Sequence, residues 1–268
     1  QDILAKQVSG TNLFSNGMNI CFIDLETTGL NTEKDKIIEI ALKVVKIDKT
    51  DGNIISFEYE YESFQDPGLS IEANIRKITG IDDDMVSGHE INWSKVGEIV
   101  QSVDIMVAHN AIFDRSLMDR YMPVSKEKIW ACSVSDIDWL NRGFVKNSLE
   151  LLCIWHGFYY DSHRAMNDVD AVIHLLTHPS IKNNKPVIEL IKNSQIPYYK
   201  IIACNSPYES KDMLRSNNYK WNGDKKYWWK RVDKDGIDTE RGWLTDNIYK
   251  GYFMGIVEEV LIQDKYKK

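Results

Sequence analysis

What this sequence lacks narrows it first. No apolar run reaches the ~18–20 residues of a membrane span, so no membrane association is expected. Gln1 to Gly10 carry no basic stretch followed by an apolar one, so no secretory leader is expected either. Cysteine is scarce: Cys21, Cys132, Cys153 and Cys204 are the four, and none stands in a Cys-x-x-Cys pair. That spacing excludes a zinc ribbon and a disulfide framework. Thiols in apolar surroundings suit a reducing compartment, and the cytoplasm is the expected location. Long internal repeats and low-complexity tracts are missing as well. So is an overall positive charge, the formal net being −7.

The charge is unevenly spread. From Tyr198 onward there are 14 Lys/Arg against 11 Asp/Glu, a net of +3, which leaves −10 for the rest of the chain. Bound cations would offset a cluster of acids in the first part. A basic tail can meet an anionic polymer. Net charge therefore does not exclude a nucleic-acid partner.

The pattern along the chain predicts an α/β fold. Ile20 to Leu25 reads as a buried strand. Lys36 to Ile47 and the alternating run Ile54 to Tyr61 follow, joined by the hairpin signal Asp51-Gly52. Asp66-Pro67-Gly68 breaks the chain. Helices are predicted over Ile71–Thr79, stopped by Gly80, and over Asn92–Gln101. A short strand, Ile105–Ala108, precedes a helix from an Asn110 N-cap to Tyr121. Ile129–Val134 reads as a strand, Ser148–Trp155 as a helix ended by Gly157, and a last helix runs from after His163 to about Thr177. Three successive strands and then alternating strand and helix make a mixed sheet flanked by helices, the pattern of a ribonuclease-H-like fold. We divide the chain into residues 1–178, a Lys/Asn/Pro-rich linker at 179–197 in which Val187 to Lys192 can form a short helix, and a small C-terminal α+β domain at 198–268.

Three motifs carry the chemistry. Asp24-Leu25-Glu26-Thr27-Thr28-Gly29 closes the first strand, His109-Asn110-Ala111-Ile112-Phe113-Asp114 opens one helix, and His163-Arg164-Ala165-Met166-Asn167-Asp168 opens another. Residues i and i+2 of a strand share a face, so Asp24 and Glu26 project together. Two adjacent carboxylates repel each other, and a divalent cation between them relieves this. A solvated acidic loop is the plain alternative for an isolated Asp-x-Glu. Asp114 shares a helical stripe with Leu117, Met118 and Tyr121, where a bare charge needs a partner. Arg115 or a helix N-terminus would serve, as would a metal. Asp168 lines up with Val172 and Leu175 in the same way, whereas Asp170 points away and can pair with His174 at the surface. His163, five residues before Asp168, would lie roughly 140° from it on one continuous helix. Both face one site only if His163 sits on the loop or first turn, with Asp161 or Ser162 as N-cap.

In this order the motifs resemble the DEDD 3′–5′ exonucleases, in the DnaQ-like group with histidine in the last motif. The resemblance covers roughly residues 18 to 178 and extends to Pro67, Ile71 and Ile75 to Ile81. There Thr79 precedes Gly80 and no threonine follows Ile81, a departure away from the carboxylates. The resemblance implies two divalent cations, Mg²⁺ or Mn²⁺, and no small-molecule organic cofactor. It implies that Asp24 bridges both cations, that Glu26 and Asp168 hold the one beside the attacking water, and that Asp114 completes the other site. It makes His163 the general base, a role that suits a histidine near neutral pH. It places Thr27, Thr28 and Leu30 against the terminal nucleotide, although a strand-to-loop turn at Gly29 also accounts for that stretch. His109 and Asn110 are open between substrate contact and structure. The implied product is a nucleoside 5′-monophosphate cut from a 3′ end.

The C-terminal part crowds Trp221, Tyr227, Trp228, Trp229 and Trp243 among Lys220, Lys225, Lys226, Lys230 and Arg231, with Gly223-Asp224 as a hairpin turn. It resembles the small domain of exodeoxyribonuclease X-like proteins. Its aromatics either stack bases of a single strand or form the core of a domain of roughly 70 residues. We assign most of them to the core, with the lysines at the surface. Three functions follow: a 3′–5′ exonuclease on DNA, preferably single-stranded; an exoribonuclease of the same family; or a nucleic-acid-binding adaptor on a degenerate nuclease fold. The intact set of five residues argues against the last. The expected partners are DNA or RNA 3′ ends, and a polymerase, if any, would be a separate chain.

Overall fold

A computed structural model describes residues 16–179 and 184–267. The leader expectation at Gln1 to Gly10 lies outside the described residues. The described residues form two compact units that part between Ser194 and Gln195, with Tyr266 in the first.

The first unit begins as an antiparallel meander of β1 (Gly17–Thr27), β2 (Ile37–Asp48) and β3 (Ile54–Phe64). The strands β4 (Ile105–Ala108) and β5 (Ile129–Cys132) then add parallel to β1, giving the order β3-β2-β1-β4-β5. This is the expected ribonuclease-H-like mixed sheet. Between meander and parallel strands lie α1 (Ala73–Thr79), α2 (Asp83–Val86) and α3 (Trp93–Ser102). Gly80 ends α1 at φ 70°, a left-handed conformation that glycine takes without steric cost. The short α2 was not legible in the sequence; its four residues hold no full apolar period.

Strand alternation assigns the two faces. Ile20 and Phe22 of β1 pack with α5 (Leu149–Trp155), α6 (Ala165–Thr177) and α7 (Pro186–Ser194). Cys21, Ile23 and Leu25 point the other way, onto α3 and α4 (Ala111–Tyr121). Each buried aliphatic side chain of this kind stabilises the fold by roughly 1.5–3 kcal/mol before entropy is counted. Two apolar layers cover both faces, as the near-continuous burial of β2 requires. Asp24 and Glu26 inherit the face of Ile20 and Phe22, the side on which α6 packs.

Several expectations need correction. Val187, Leu190 and Ile191 of α7 are buried in the first unit's core, so the stretch expected as a linker carries a helix of that unit. The strand expected through Val134 ends at Cys132, where the chain turns and the Cys132 N–H donates to Asp136 Oδ2 at 2.9 Å. Asp170 does not pair with His174: it accepts from Lys43 Nζ of β2 at 2.5 Å. His174 instead meets the rings of Phe158 and His178.

In the second unit β6 (Tyr198–Ala203), β7 (Lys220–Asn222), β8 (Tyr227–Val232) and β9 (Ile256–Val260) form an antiparallel sheet in the order β7-β8-β6-β9. The hairpin predicted at Gly223-Asp224 is the β7–β8 connection. The helices α8 (Lys211–Ser216) and α9 (Ile237–Leu244) supply Leu214 and Leu244 to a core shared with Ile201, Ala203, Tyr219 and Ile248. Trp228 and Trp243 pack against it, whereas Trp221 is 51% exposed. Among the described residues, no helix of either unit is long and apolar enough to cross a membrane.

Candidate active site

Three of the four predicted acids converge. Oxygens of Asp24, Glu26 and Asp168 lie within 4.8 Å of one another. β1 presents the first two on one face by alternation, and the first turn of α6 presents the third. Asp114 approaches from α4, on the opposite side of the sheet, and does not join that trio. It is 3% exposed, and main-chain groups at its own helix start and at Leu25 stabilise its charge. Arg115 is not its partner, since its guanidinium turns to Asp119 and to the Lys126 carbonyl.

The cluster resists ionisation. Burial pushes Asp24 well above the usual carboxylate range, and the charges of Asp114, Asp168, Glu26 and Glu39 add to this. Glu26 is pushed up to about 8, by burial first and then by Asp168, Glu39 and Asp114, with Arg164 opposing. Burial likewise lifts Asp114 to about 8. Asp168 is also raised by burial, but it is held back by hydrogen bonds from the Tyr160 side chain and from the main chain at His163 and Arg164. Tyr160 Oη donates to its Oδ1 at 2.9 Å and the His163 N–H to its Oδ2 at 2.8 Å. Hard oxygen donors gathered where their own charges repel suit a divalent cation such as Mg²⁺ or Mn²⁺.

His163 stands on the loop before α6, as its spacing from Asp168 requires. It sits at φ 65°, in the left-handed region, and its side chain is 49% exposed. Its Nε2 lies 3.9 Å from Glu150 Oε1. The N-cap position is Arg164, not Asp161 or Ser162, and its side chain makes no capping bond. Ser162 Oγ donates to Glu150 instead. The free N–H of Ala165 is satisfied from the sheet, by Glu39 Oε2 at 3.0 Å, and Arg164 Nη2 donates to Glu39 Oε1 at 2.8 Å.

Glu39, Arg164 and Tyr160 are the residues that sequence reasoning missed. A glutamate between Ile38 and Ile40 in an apolar strand was the available signal for Glu39, because a buried charge needs a partner.

The remaining predicted residues lie at the end of β1 and the loop after it, and before α4. Thr27 Oγ1 donates to the Gly29 carbonyl at 2.6 Å. Thr28 Oγ1 donates to Asp35 Oδ1 at 3.1 Å and accepts the Lys36 N–H at 3.0 Å. Both hydroxyls thus close their own loop, and a Cβ at Gly29 would stand 2.6 Å from Asp35 Oδ2. Leu30 at the tip is 87% exposed. His109 Nδ1 lies 2.7 Å from Ser133 Oγ, and burial holds the ring down at about 4, a neutral histidine. Asn110 occupies the N-cap position of α4 but makes no capping bond; it supplies a left-handed turn at φ 69°, which asparagine tolerates.

The exonuclease family model, RNase T, matches residues 21–176, a span that holds all five motif residues. The chain belongs to the RNase T exonuclease family. The class expected from the motifs, a 3′–5′ exonuclease hydrolysing phosphodiester bonds, is the class of this family. This exonuclease is similar to the PolC-type DNA polymerase III of Listeria monocytogenes, with 34% identity over 169 residues, 58% of this chain and 11% of the polymerase. It is similar to that of Bacillus subtilis, with 32% identity over 161 residues, 57% of this chain and 11% of that one. The chain thus spans about a tenth of the length of these relatives (11%). Among solved structures, exonuclease X in complex with 5′ overhanging duplex DNA aligns at 25% identity and a TM-score of 0.45, covering 63% of this chain and 99% of that one.

Proposed function

We propose that this exonuclease depends on divalent cations and shortens single-stranded DNA from its 3′ end, releasing nucleoside 5′-monophosphates. The observation that carries this reading is the convergence of Asp24, Glu26 and Asp168 within 4.8 Å. In this reading Asp24, Glu26, Asp168 and Asp114 would hold the cations, Mg²⁺ or Mn²⁺. Bound divalent cations supply charge stabilisation for the phosphoryl oxygens and an activated water nucleophile.

The chain's own groups do the rest. His163 accepts the proton of the attacking water at its ring, and its exposure leaves that ring room to reach the phosphate. Tyr160 and the His163 N–H fix the Asp168 carboxylate. Thr27, Thr28 and Leu30 seat the terminal nucleotide, with Leu30 as the apolar contact to its base, and His109 and Asn110 border the seat. The similarity to a DNA polymerase III supports DNA over RNA. It also supports work beside a polymerase. The buried thiols of Cys21, Cys132 and Cys153 suit a reducing cytoplasm.

The test is incubation with 5′-labelled single-stranded DNA and RNA, with Mg²⁺, Mn²⁺ or EDTA. Stepwise shortening of DNA that stops in EDTA is the expected result. Faster shortening of RNA would reassign the substrate. No metal-dependent shortening of either polymer would overturn the proposal.

A further inference from the structure

Trp229 is among the aromatics that the core of the C-terminal unit leaves outside. Trp228 and Trp243 pack against that core, but Trp229 does not. Strand alternation turns Trp229 to the sheet face opposite the core, with Tyr227 and Arg231 two residues to either side. Lys220 pairs with Trp229 across β7–β8, and Lys200 pairs with Arg231 across β6–β8, so both lysines share that face. Their ammonium groups stand over the Trp229 ring, 5.8 Å (Lys200) and 5.9 Å (Lys220) from its centroid. Arg231 lies 4.4 Å over the ring of Tyr198 on the same face. The acid near them is Glu258, 3.9 Å from Lys200, its side chain 51% exposed. Lys225 and Lys226, both exposed, extend the positive charge to the hairpin turn.

A half-buried indole between two cations has two uses. The lysines can simply cover the ring by cation–π contact, which needs only one of them. Two cations, one from the strand on each side of β8, also suit a single strand: a base stacks on the ring and its flanking phosphates meet the ammonium groups. The net charge of +3 from Tyr198 onward, in a chain of net −7, concentrates cations on this part. We propose that this sheet face is a binding site for single-stranded nucleic acid, separate from the nuclease centre, with Trp229 as the stacking platform and Lys200 and Lys220 as the phosphate contacts. Stacking and phosphate contacts do not read the 2′-OH, so DNA and RNA should bind there alike.

The test is binding of fluorescent oligothymidylate and oligouridylate, about 15 nucleotides long to span such a site, to the full chain in EDTA, where nothing is cut. K200Q/K220Q should weaken both oligonucleotides about tenfold or more and lower the slope of log affinity against log salt by ~1.4, two contacts at ~0.7 each. Trp229→Ala should weaken binding by a similar factor, and Trp229→Phe, which keeps a flat ring, should restore most of it. Both lysines are surface groups, so the double variant should melt like the parent and hydrolyse a small chromogenic thymidine 5′-phosphate ester at the parent rate. Unchanged affinity in K200Q/K220Q would overturn the proposal. So would polyglutamate binding as tightly as the oligonucleotides, which would mean that the face reads charge alone. Because binding is read without cleavage, a chain that binds but never cuts would sink the exonuclease reading and leave this one standing.

Discussion

Glu26 on β1 stands directly across the ladder from Glu39 on β2. Two glutamates so placed repel each other, and Glu39 is the one that has a cation beside it: Arg164 and the Ala165 N–H both donate to it, which also anchors the start of α6. Arg164→Met should therefore destabilise the chain by about 2 kcal/mol, short of the ~3–5 kcal/mol for a fully buried pair, because the arginine side chain is 40% exposed and partly screened. Urea unfolding measures this. E39Q/R164M should recover more than half of the loss, and purely additive losses would disprove the coupling.

The raised carboxylates make a prediction about pH. A group whose folded pKa exceeds its unfolded value contributes stability that is fully present below the unfolded pKa and is lost as pH rises through the folded one. For Glu26 and Asp114, each pushed up to about 8, the window runs from ~4, the unfolded carboxylate range, to about 8. In EDTA the melting temperature should fall by several degrees across it, since ~1 kcal/mol is worth about 2–4 °C in a chain of this size. Mn²⁺, which binds the ionised form, should shrink the fall. A melting temperature that rises across that window in EDTA would contradict the electrostatics of the cluster.

How much of this was legible depends on distance along the chain. The faces of Asp24, Glu26, Asp114 and Asp168 follow from strand alternation and helix phase, which are local. The place of His163 on the loop follows from a five-residue offset that a helix cannot accommodate. Glu39 and Arg164 could not be paired in advance, because 125 positions separate them and only the fold brings them together. Asp170 misled for the same reason: a plausible local partner, His174, lost to Lys43, 127 positions away. Asn110 was assigned to the right position with the wrong job, since sequence cannot distinguish a capping side chain from a tolerated left-handed backbone.

Tyr160 is placed to tune Asp168. Its hydroxyl stabilises the ionised carboxylate, as does the His163 N–H. Tyr160→Phe removes a hydrogen bond to a charged group, worth ~1.5–3 kcal/mol. Asp168 should then ionise at higher pH, and the acid limb of the kcat/KM profile should move upward with it. A uniform drop in activity at every pH would indicate a packing defect instead.

The acids and the histidine should separate by readout. Asp24→Ala should abolish cleavage and weaken Mn²⁺ binding in calorimetry, since Asp24 lies at the centre of the cluster. His163→Ala should leave Mn²⁺ binding nearly intact while kcat falls by ~10²-fold or more, the usual effect of losing a general base. Parental turnover by His163→Ala at neutral pH would remove the histidine from the mechanism.

Leu30 and Thr28 allow a contrast within one loop. Leu30 is 87% exposed, so the folded chain gains little from it. Leu30→Ala should change stability by no more than about 0.5 kcal/mol, as for other surface positions. Thr28 is different, because its hydroxyl both accepts the Lys36 N–H and donates to Asp35. Thr28→Val should cost about 1–2 kcal/mol through those lost bonds. If Leu30 packs against the terminal base, its truncation removes apolar contact worth ~0.8 kcal/mol per buried methylene, and the KM for an oligonucleotide should rise about tenfold. Its KM for the small chromogenic ester, which keeps the terminal thymine and replaces only the nucleotide on its 5′ side, should rise as well. Parental KM values for both substrates would mean that the loop tip is not a substrate contact, and that selection for the exposed leucine lies elsewhere.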